Sequence, residues 1–323
     1  MKITRHWWGA LLLAFALISA VMLFIGCPGS EQEEFTDLAK RLTKQPKLTV
    51  YFHESKTKKT MPIEEYLLGV VAGEMKPGWP LEAYAAQAIV ARTFTMDFLA
   101  RGGTRELHNT DISTDEKEAQ AYNATAITPL IRQAVKMTEG KVMTYQGKYV
   151  KGWFSASCGG KTALAKEGLA YKESEPAYMR SVSCPEEEVI PKEDLFWKNK
   201  FTGEEINKAL GTLGKNIGKV TRMEVKERSE NSFRATMLKF SGEKGQADVE
   251  GADFRIAINP EKMRSIWITD INNEADGIGI SGRGFGHGVG LCQWGSYALA
   301  KEGKKAEEII KHYYPEITIT EVW

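Results

Sequence analysis

Glu74 is the carboxylate of this chain best placed for acid–base chemistry. It closes the stretch Val70-Val71-Ala72-Gly73-Glu74-Met75, after an apolar stripe of Ile63, Leu67, Val70 and Val71. At about 100° per residue Glu74 falls on that stripe. Glu65 lies on the opposite side and Glu64 at the edge, where both read as charges of a solvated face. A carboxylate drawn into an apolar surface beside Trp79 loses hydration, which raises its pKa from about 4.3 towards neutrality. The negative end of the helix macrodipole also opposes its charge. Such a group can donate a proton and recover it within one reaction.

Two further blocks carry candidate chemistry. In Arg283-Gly284-Phe285-Gly286-His287-Gly288-Val289-Gly290, followed by Gln293-Trp294-Gly295, alternating glycines admit positive φ and close chain approach. They set off one imidazole and one carboxamide. The other block is Phe154-Ser155-Ala156-Ser157-Cys158-Gly159-Gly160-Lys161-Thr162. Cys158 with His287 would make a nucleophile and base, as in thiol hydrolases, although no Asp or Asn stands out to orient the imidazole.

Taken in order, the three blocks resemble the family of stage II sporulation protein D and its amidase-enhancer relatives, from about Leu48 to the C-terminus. The resemblance implies a lytic transglycosylase, a carbon–oxygen lyase acting on the glycan strands of bacterial peptidoglycan. Most glycosidases pair two carboxylates, and here only Glu74 is well placed. One suffices when the substrate supplies its own nucleophile. The C6 hydroxyl of muramic acid attacks C1 and leaves a 1,6-anhydro end. Glu74 would be the catalytic acid, then the base.

Substrate contacts are expected from His287 and Gln293, donating to sugar hydroxyls or the lactyl carboxylate, with Ser155 and Ser157 lining the same cleft. Lys161 would meet glycan charge or sit on the surface. Tyr178, Trp79 and Trp294 would stack on sugar faces or pack in a core. The resemblance further implies a role in forespore engulfment, at the mother-cell membrane, with stage II sporulation proteins M and P as partners. Two other classes stay open: a non-enzymatic glycan-binding activator of an amidase, and a thiol or zinc hydrolase using Cys158 and His287.

The 43 basic residues balance 42 acidic ones, for a formal charge of +1, which gives no ground for nucleic-acid binding. Lys2 and Arg5 precede an uncharged run from Trp7 to Cys27, and Glu31, Glu33 and Glu34 follow. About 20 apolar residues span a bilayer as a helix, with the basic side retained in the cytoplasm. A single-pass anchor over 1–27 is therefore expected, with the rest outside. The alternatives are a cleaved signal peptide and a lipoprotein-like site at Phe24-Ile25-Gly26-Cys27.

The elements that must position these residues read as α+β: an N-terminal transmembrane helix, then a mixed α/β core split by an inserted smaller α+β module. A polar tether covers 28–46, and the core occupies 47–184 and 276–323 around an insertion at 185–275. Strand character marks Leu48 to His53. Helices are expected from Pro62 to Glu74 and from about Leu81 to Ala100, with Pro77-Gly78-Trp79-Pro80 between them. Residues 101–124 read as a surface excursion, Ile127 to Thr138 as a short helix, and Val142 to Tyr145 with Tyr149 to Ser155 as a hairpin. The insertion carries a helix near Thr202 to Leu213 and a hairpin over Val220 to Phe240. Ile278-Gly279-Ile280 returns the chain to the core, ahead of helices at Gln293 to Lys301 and Ala306 to Tyr313.

Arg92 sits in the inward stripe of the second helix. It lies about 18 Å along that helix, too far to pair with Glu74. It is read as an arginine held by carbonyls or another carboxylate, or else as a substrate contact. Of the cysteines at 27, 158, 184 and 292, Cys158 and Cys184 are the natural disulfide candidates. Cys292 reads as a small buried residue. No CxxC or HExxH spacing exists, so a zinc set drawn from Cys158, Cys184, Cys292 and His287 has little support. No metal and no cofactor are expected.

Overall fold

The computed structural model describes residues 39–323. Strand β1 (Lys47–Phe52) turns Leu48 and Val50 into the core and pairs antiparallel with β2 (Thr57–Pro62). The lysines and threonines of β2 alternate with nothing apolar until Met61, so its pattern does not announce a strand. Helices α1 (Ile63–Glu74) and α2 (Leu81–Ala100) each start directly after a proline whose fixed φ suits a helix entry.

After α3 (Arg105–His108), strand β3 (Ile112–Ser113) runs parallel to β1. The 101–124 stretch is therefore no surface excursion. It returns to the sheet and then passes along α1, where Gly69 and Gly73 make room for Tyr122 and Ala121. Helix α4 (Pro129–Met137) packs on α1 and α2.

Strands β4 (Lys141–Tyr145) and β5 (Lys148–Tyr149) form a tight hairpin. Its two turn residues, Gln146 and Gly147, both have positive φ, as a two-residue turn matched to strand twist requires. The expected second strand breaks here. Phe154 and Ser155 form β6, which pairs in parallel with β13 (Leu291–Cys292) rather than extending the hairpin.

Beyond α5 (Ala165–Gly168) and α6 (Lys192–Leu195) come β7 (Phe196–Phe201), α7 (Gly203–Thr212), β8 (Val220–Arg228), β9 (Ala235–Gly242), β10 (Gly245–Glu250), α8 (Gly251–Ile258), β11 (Ile268–Glu274) and β12 (Gly277–Arg283). They build two three-stranded sheets, ordered β10-β9-β8 and β11-β12-β7. These surround a second hydrophobic core that includes Phe201, Leu238, Phe240, Phe254, Ile278 and Ile280. Ile278 and Ile280 thus belong to this core, and the chain rejoins the first one only at Val289. Helices α9 (Gln293–Lys301) and α10 (Ala306–Tyr313) then cover α2, and β14 (Thr318–Glu321) pairs with β4.

The expected fold class needs one correction. No helix among the described residues is long and apolar enough to cross a membrane. The run from Trp7 to Cys27 lies outside those residues; the described residues form an α+β fold with several small sheets and no spanning helix among them. The end of the expected tether is docked: Ala39 donates to the Gly147 carbonyl, and Leu42 to that of Val322.

Candidate active site

Glu74 is the last residue of α1, and its carboxylate is only partly exposed. Its Oε1 accepts the Ala121 amide at 2.8 Å. Burial raises its pKa from 4.5 to about 7. Hydrogen bonds from the Ala121 amide and the Gln293 carboxamide work against that rise, and the charge of Glu116 adds to it. A cleft of about 710 Å³ opens beside Gly73 and Ala121, with Phe52, His53, Glu116 and Tyr122 also lining it. Another hollow, of about 590 Å³ around Asn207 and Lys215, lies on the second core away from these groups.

Of the residues singled out in the sequence, Gln293 at the start of α9 is the one that meets Glu74. Behind it, Trp79, Trp294 and Tyr297 pack as an aromatic cluster, with Trp79 4.8 Å from Trp294, and Lys76 lies over the Trp294 ring. The other candidates are held elsewhere. Arg92 is fully buried, with Nε and Nη2 gripping both oxygens of Glu64 and Nη1 on the carbonyls of Lys141 and Ala88. It is a structural arginine, not a substrate contact, and Glu64 is its partner rather than a solvated charge. Glu64 lies in the first turn of α1 and Glu74 in the last, about 15 Å apart along the axis.

His287 serves its own loop. Its Nδ1 accepts the Val289 amide at 3.0 Å, and the ring also hydrogen-bonds the Phe154 backbone. Burial and the charges of Arg255 and Arg234 push its pKa down to about 3, so it is neutral near pH 7. The residue keeps intermediate exposure while its Nδ1 is committed to the loop. Ser157 exchanges backbone hydrogen bonds with Phe285, and its hydroxyl meets the Gly159 amide. The Ser155 hydroxyl is buried with no hydrogen-bond partner, which leaves it the candidate of this pair with unmet polar capacity. Tyr178 is a core aromatic, packed on Tyr145 with its hydroxyl on the Lys151 amide. Lys161 lies over the Phe233 ring.

Cys158, Cys184 and Cys292 are buried free thiols, so the expected disulfide is not formed. Cys158 hydrogen-bonds Glu186, and among the described residues no hydrogen bond joins it to His287. The thiol nucleophile and base pair is therefore not assembled.

Sequence reasoning missed the segment that completes the pocket. Ala121 acts through its backbone amide, which no side-chain pattern announces. Glu116 sits in a charged stretch that looks solvated. Tyr66, next to Leu67 on α1, was not singled out either, and its phenol is buried close enough for the Glu74 charge to raise its pKa further.

Residues 51–145 match the family model described as stage II sporulation protein, and residues 174–290 match a domain of unknown function. An uncharacterized protein of Brachyspira hyodysenteriae is 32% identical over 260 residues, which cover 80% of this chain and 67% of that protein. Stage II sporulation protein D of Bacillus subtilis is 30% identical over 289 residues, with 85% and 79% covered. The amidase enhancer of the same organism is 26% identical over 299 residues, 79% of this chain but 40% of the enhancer.

Proposed function

Because the chain belongs to the family of stage II sporulation protein D, we propose that it is a lytic transglycosylase of peptidoglycan with Glu74 as its acid–base group. One observation carries this reading. Glu74, whose pKa burial raises to about 7, follows Gly73 and accepts the Ala121 amide, and those two residues line an open cleft. Protonated Glu74 gives its proton to the glycosidic oxygen as the C1–O bond breaks. Positive charge builds on the ring, and the muramic C6 hydroxyl attacks C1. The Glu74 carboxylate takes the hydroxyl proton, which restores the starting acid without consuming water. The Ala121 amide and Gln293 stabilise the carboxylate in the interval when it is charged.

Glycan strands are the substrate in this reading, the sporulation envelope is its setting, and stage II sporulation proteins M and P are its working partners. Gln293 is the substrate-proximal polar group, with Ser155 next to its loop.

Two other readings have an observation behind each. Glu116 lines the cleft and feels the Glu74 charge, as a second carboxylate activating water would. Similarity to the amidase enhancer favours a glycan-binding activator. Full-length Glu74→Gln and Glu116→Gln variants separate them on purified strands. Transglycosylation requires Glu74→Gln to abolish cleavage with binding retained, and Glu116→Gln to keep most activity. Loss in both variants supports hydrolysis, and absence of cleavage by the wild type supports the activator.

A further inference from the structure

We infer that Cys158, Cys184, Glu186 and Cys292 form a structural zinc site that ties the serine loop to the two flanks of the second core. This rests on none of the active-site assignments. One ligand atom from each of the four residues lies within 4.8 Å of the others, and all four residues are buried. Glu186 Oε1 is 3.3 Å from Cys158 Sγ, and Oε2 is 3.1 Å from Cys292 Sγ. Tetrahedral zinc, with Zn–S near 2.3 Å and Zn–O near 2.0 Å, sets ligand atoms roughly 3.5–3.8 Å apart. The cluster is already close to that size.

Sequence spacing conceals the site because three distant segments supply it. Cys158 follows β6, Cys184 and Glu186 flank the start of a short 3-10 turn (Pro185–Glu188), and Cys292 ends β13. The parallel pairing of β6 with β13 brings the first and last together. Second-sphere groups aim at the sulfurs. The amides of Cys158 and Gly295 point at Cys292 Sγ at 3.3 and 3.4 Å, and the Tyr313 hydroxyl is 3.2 Å from Cys184 Sγ. A Cβ at Gly295 would lie 2.2 Å from Cys184 Sγ, so the packing allows nothing larger there.

Charge points the same way. Glu186 is fully buried, accepts the Gly160 amide at 2.6 Å, and pairs with no cationic side chain among the described residues. An isolated buried carboxylate needs compensation. Arg234 is the complementary case: fully buried, paired with no carboxylate among the described residues, and donating to the Cys158 carbonyl at 2.7 Å and the Lys161 carbonyl at 3.0 Å. Three thiolates, one carboxylate and Zn²⁺ sum to two negative charges, of which the adjacent Arg234 guanidinium offsets one. Thiolates select zinc over hard cations. Four protein ligands in a closed, buried shell leave no position for a substrate, so the role is structural. The site would fix Cys292 and thereby its neighbour Gln293.

The test uses the full chain, reduced, loaded with Zn²⁺ and freed of excess metal. One zinc per chain is expected, with the three thiols unreactive towards a thiol reagent until a chelator is added. Co²⁺ in place of zinc should give intense thiolate charge-transfer absorption and tetrahedral d–d bands. Glu186→Gln should weaken zinc binding by about 10-fold or more, and Cys292→Ser should weaken it further. If the variants do not fold, the wild-type measurements decide. Substoichiometric zinc in the reduced, folded protein, a cobalt spectrum without thiolate bands, or a disulfide among the three cysteines would overturn the site.

Discussion

Burial favours the neutral form of both Glu74 and His287, so their pKa values move in opposite directions. Glu74 has a folded pKa of about 7 against 4.5 unfolded. The native state keeps a proton that the unfolded chain releases, so stability falls as pH rises through that window, and the whole penalty is present above it. Discounted for partial exposure, it is about 1–3 kcal/mol. Glu74→Gln removes it. The urea midpoint of the variant should match the wild type below about pH 4.5 and exceed it near pH 8. Equal midpoints at both ends would mean that the carboxylate is solvated. His287 has a folded pKa of about 3 against 6.5. Its contribution is fully present above 6.5 and is lost as pH falls towards 3. His287→Ala should lower Tm at neutral pH while leaving glycan affinity nearly unchanged, which calorimetry and a strand-binding assay can read together. Arg92→Ala would strand Glu64 at 13% side-chain exposure. Breaking a buried pair costs about 3–5 kcal/mol, and a denaturation curve that moves by less than about 1 kcal/mol would deny Arg92 its structural role.

Among the elements, α1 joins the chemistry to its support because Gly73 lets the 121 segment approach. A Cβ there would fall 2.7 Å from the Tyr122 nitrogen and 2.8 Å from the Ala121 carbonyl carbon. Gly73→Ala should therefore push that segment away, and Glu74 would lose the amide that lowers its pKa. The alkaline limb of the pH–rate profile should move upward, and cleavage should fall by about 10-fold or more, as small misplacements of catalytic groups do. An unchanged profile would remove the Ala121 amide from the mechanism. Several helices were legible from their residues: α1 and α2 begin after the prolines expected to open them, and α9 and α10 keep their expected bounds. Strand β2 was not, because its lysines and threonines carry no alternation. The break after Tyr149 was equally hidden, since the pairing of β6 depends on a partner more than 130 residues away.

At the scale of the whole molecule, two hydrophobic cores share one chain, and the site belongs to the first. Position 74 could be read from one helix because its stripe is local. Its neighbours Ala121 and Gln293 come from segments 47 and 219 residues further on, and only the fold unites them. The same non-local assembly explains why Arg92 looked functional. A polar group in an apolar setting is evident in sequence, whereas the backbone carbonyl or carboxylate that satisfies it is not. The central claim is that the substrate's own hydroxyl, activated by Glu74, replaces water. Cleavage of purified glycan strands in ¹⁸O-water tests it most directly. The account predicts 1,6-anhydro muramic ends that carry no ¹⁸O with the wild type, and no cleavage with Glu74→Gln. Reducing ends labelled with ¹⁸O would contradict it.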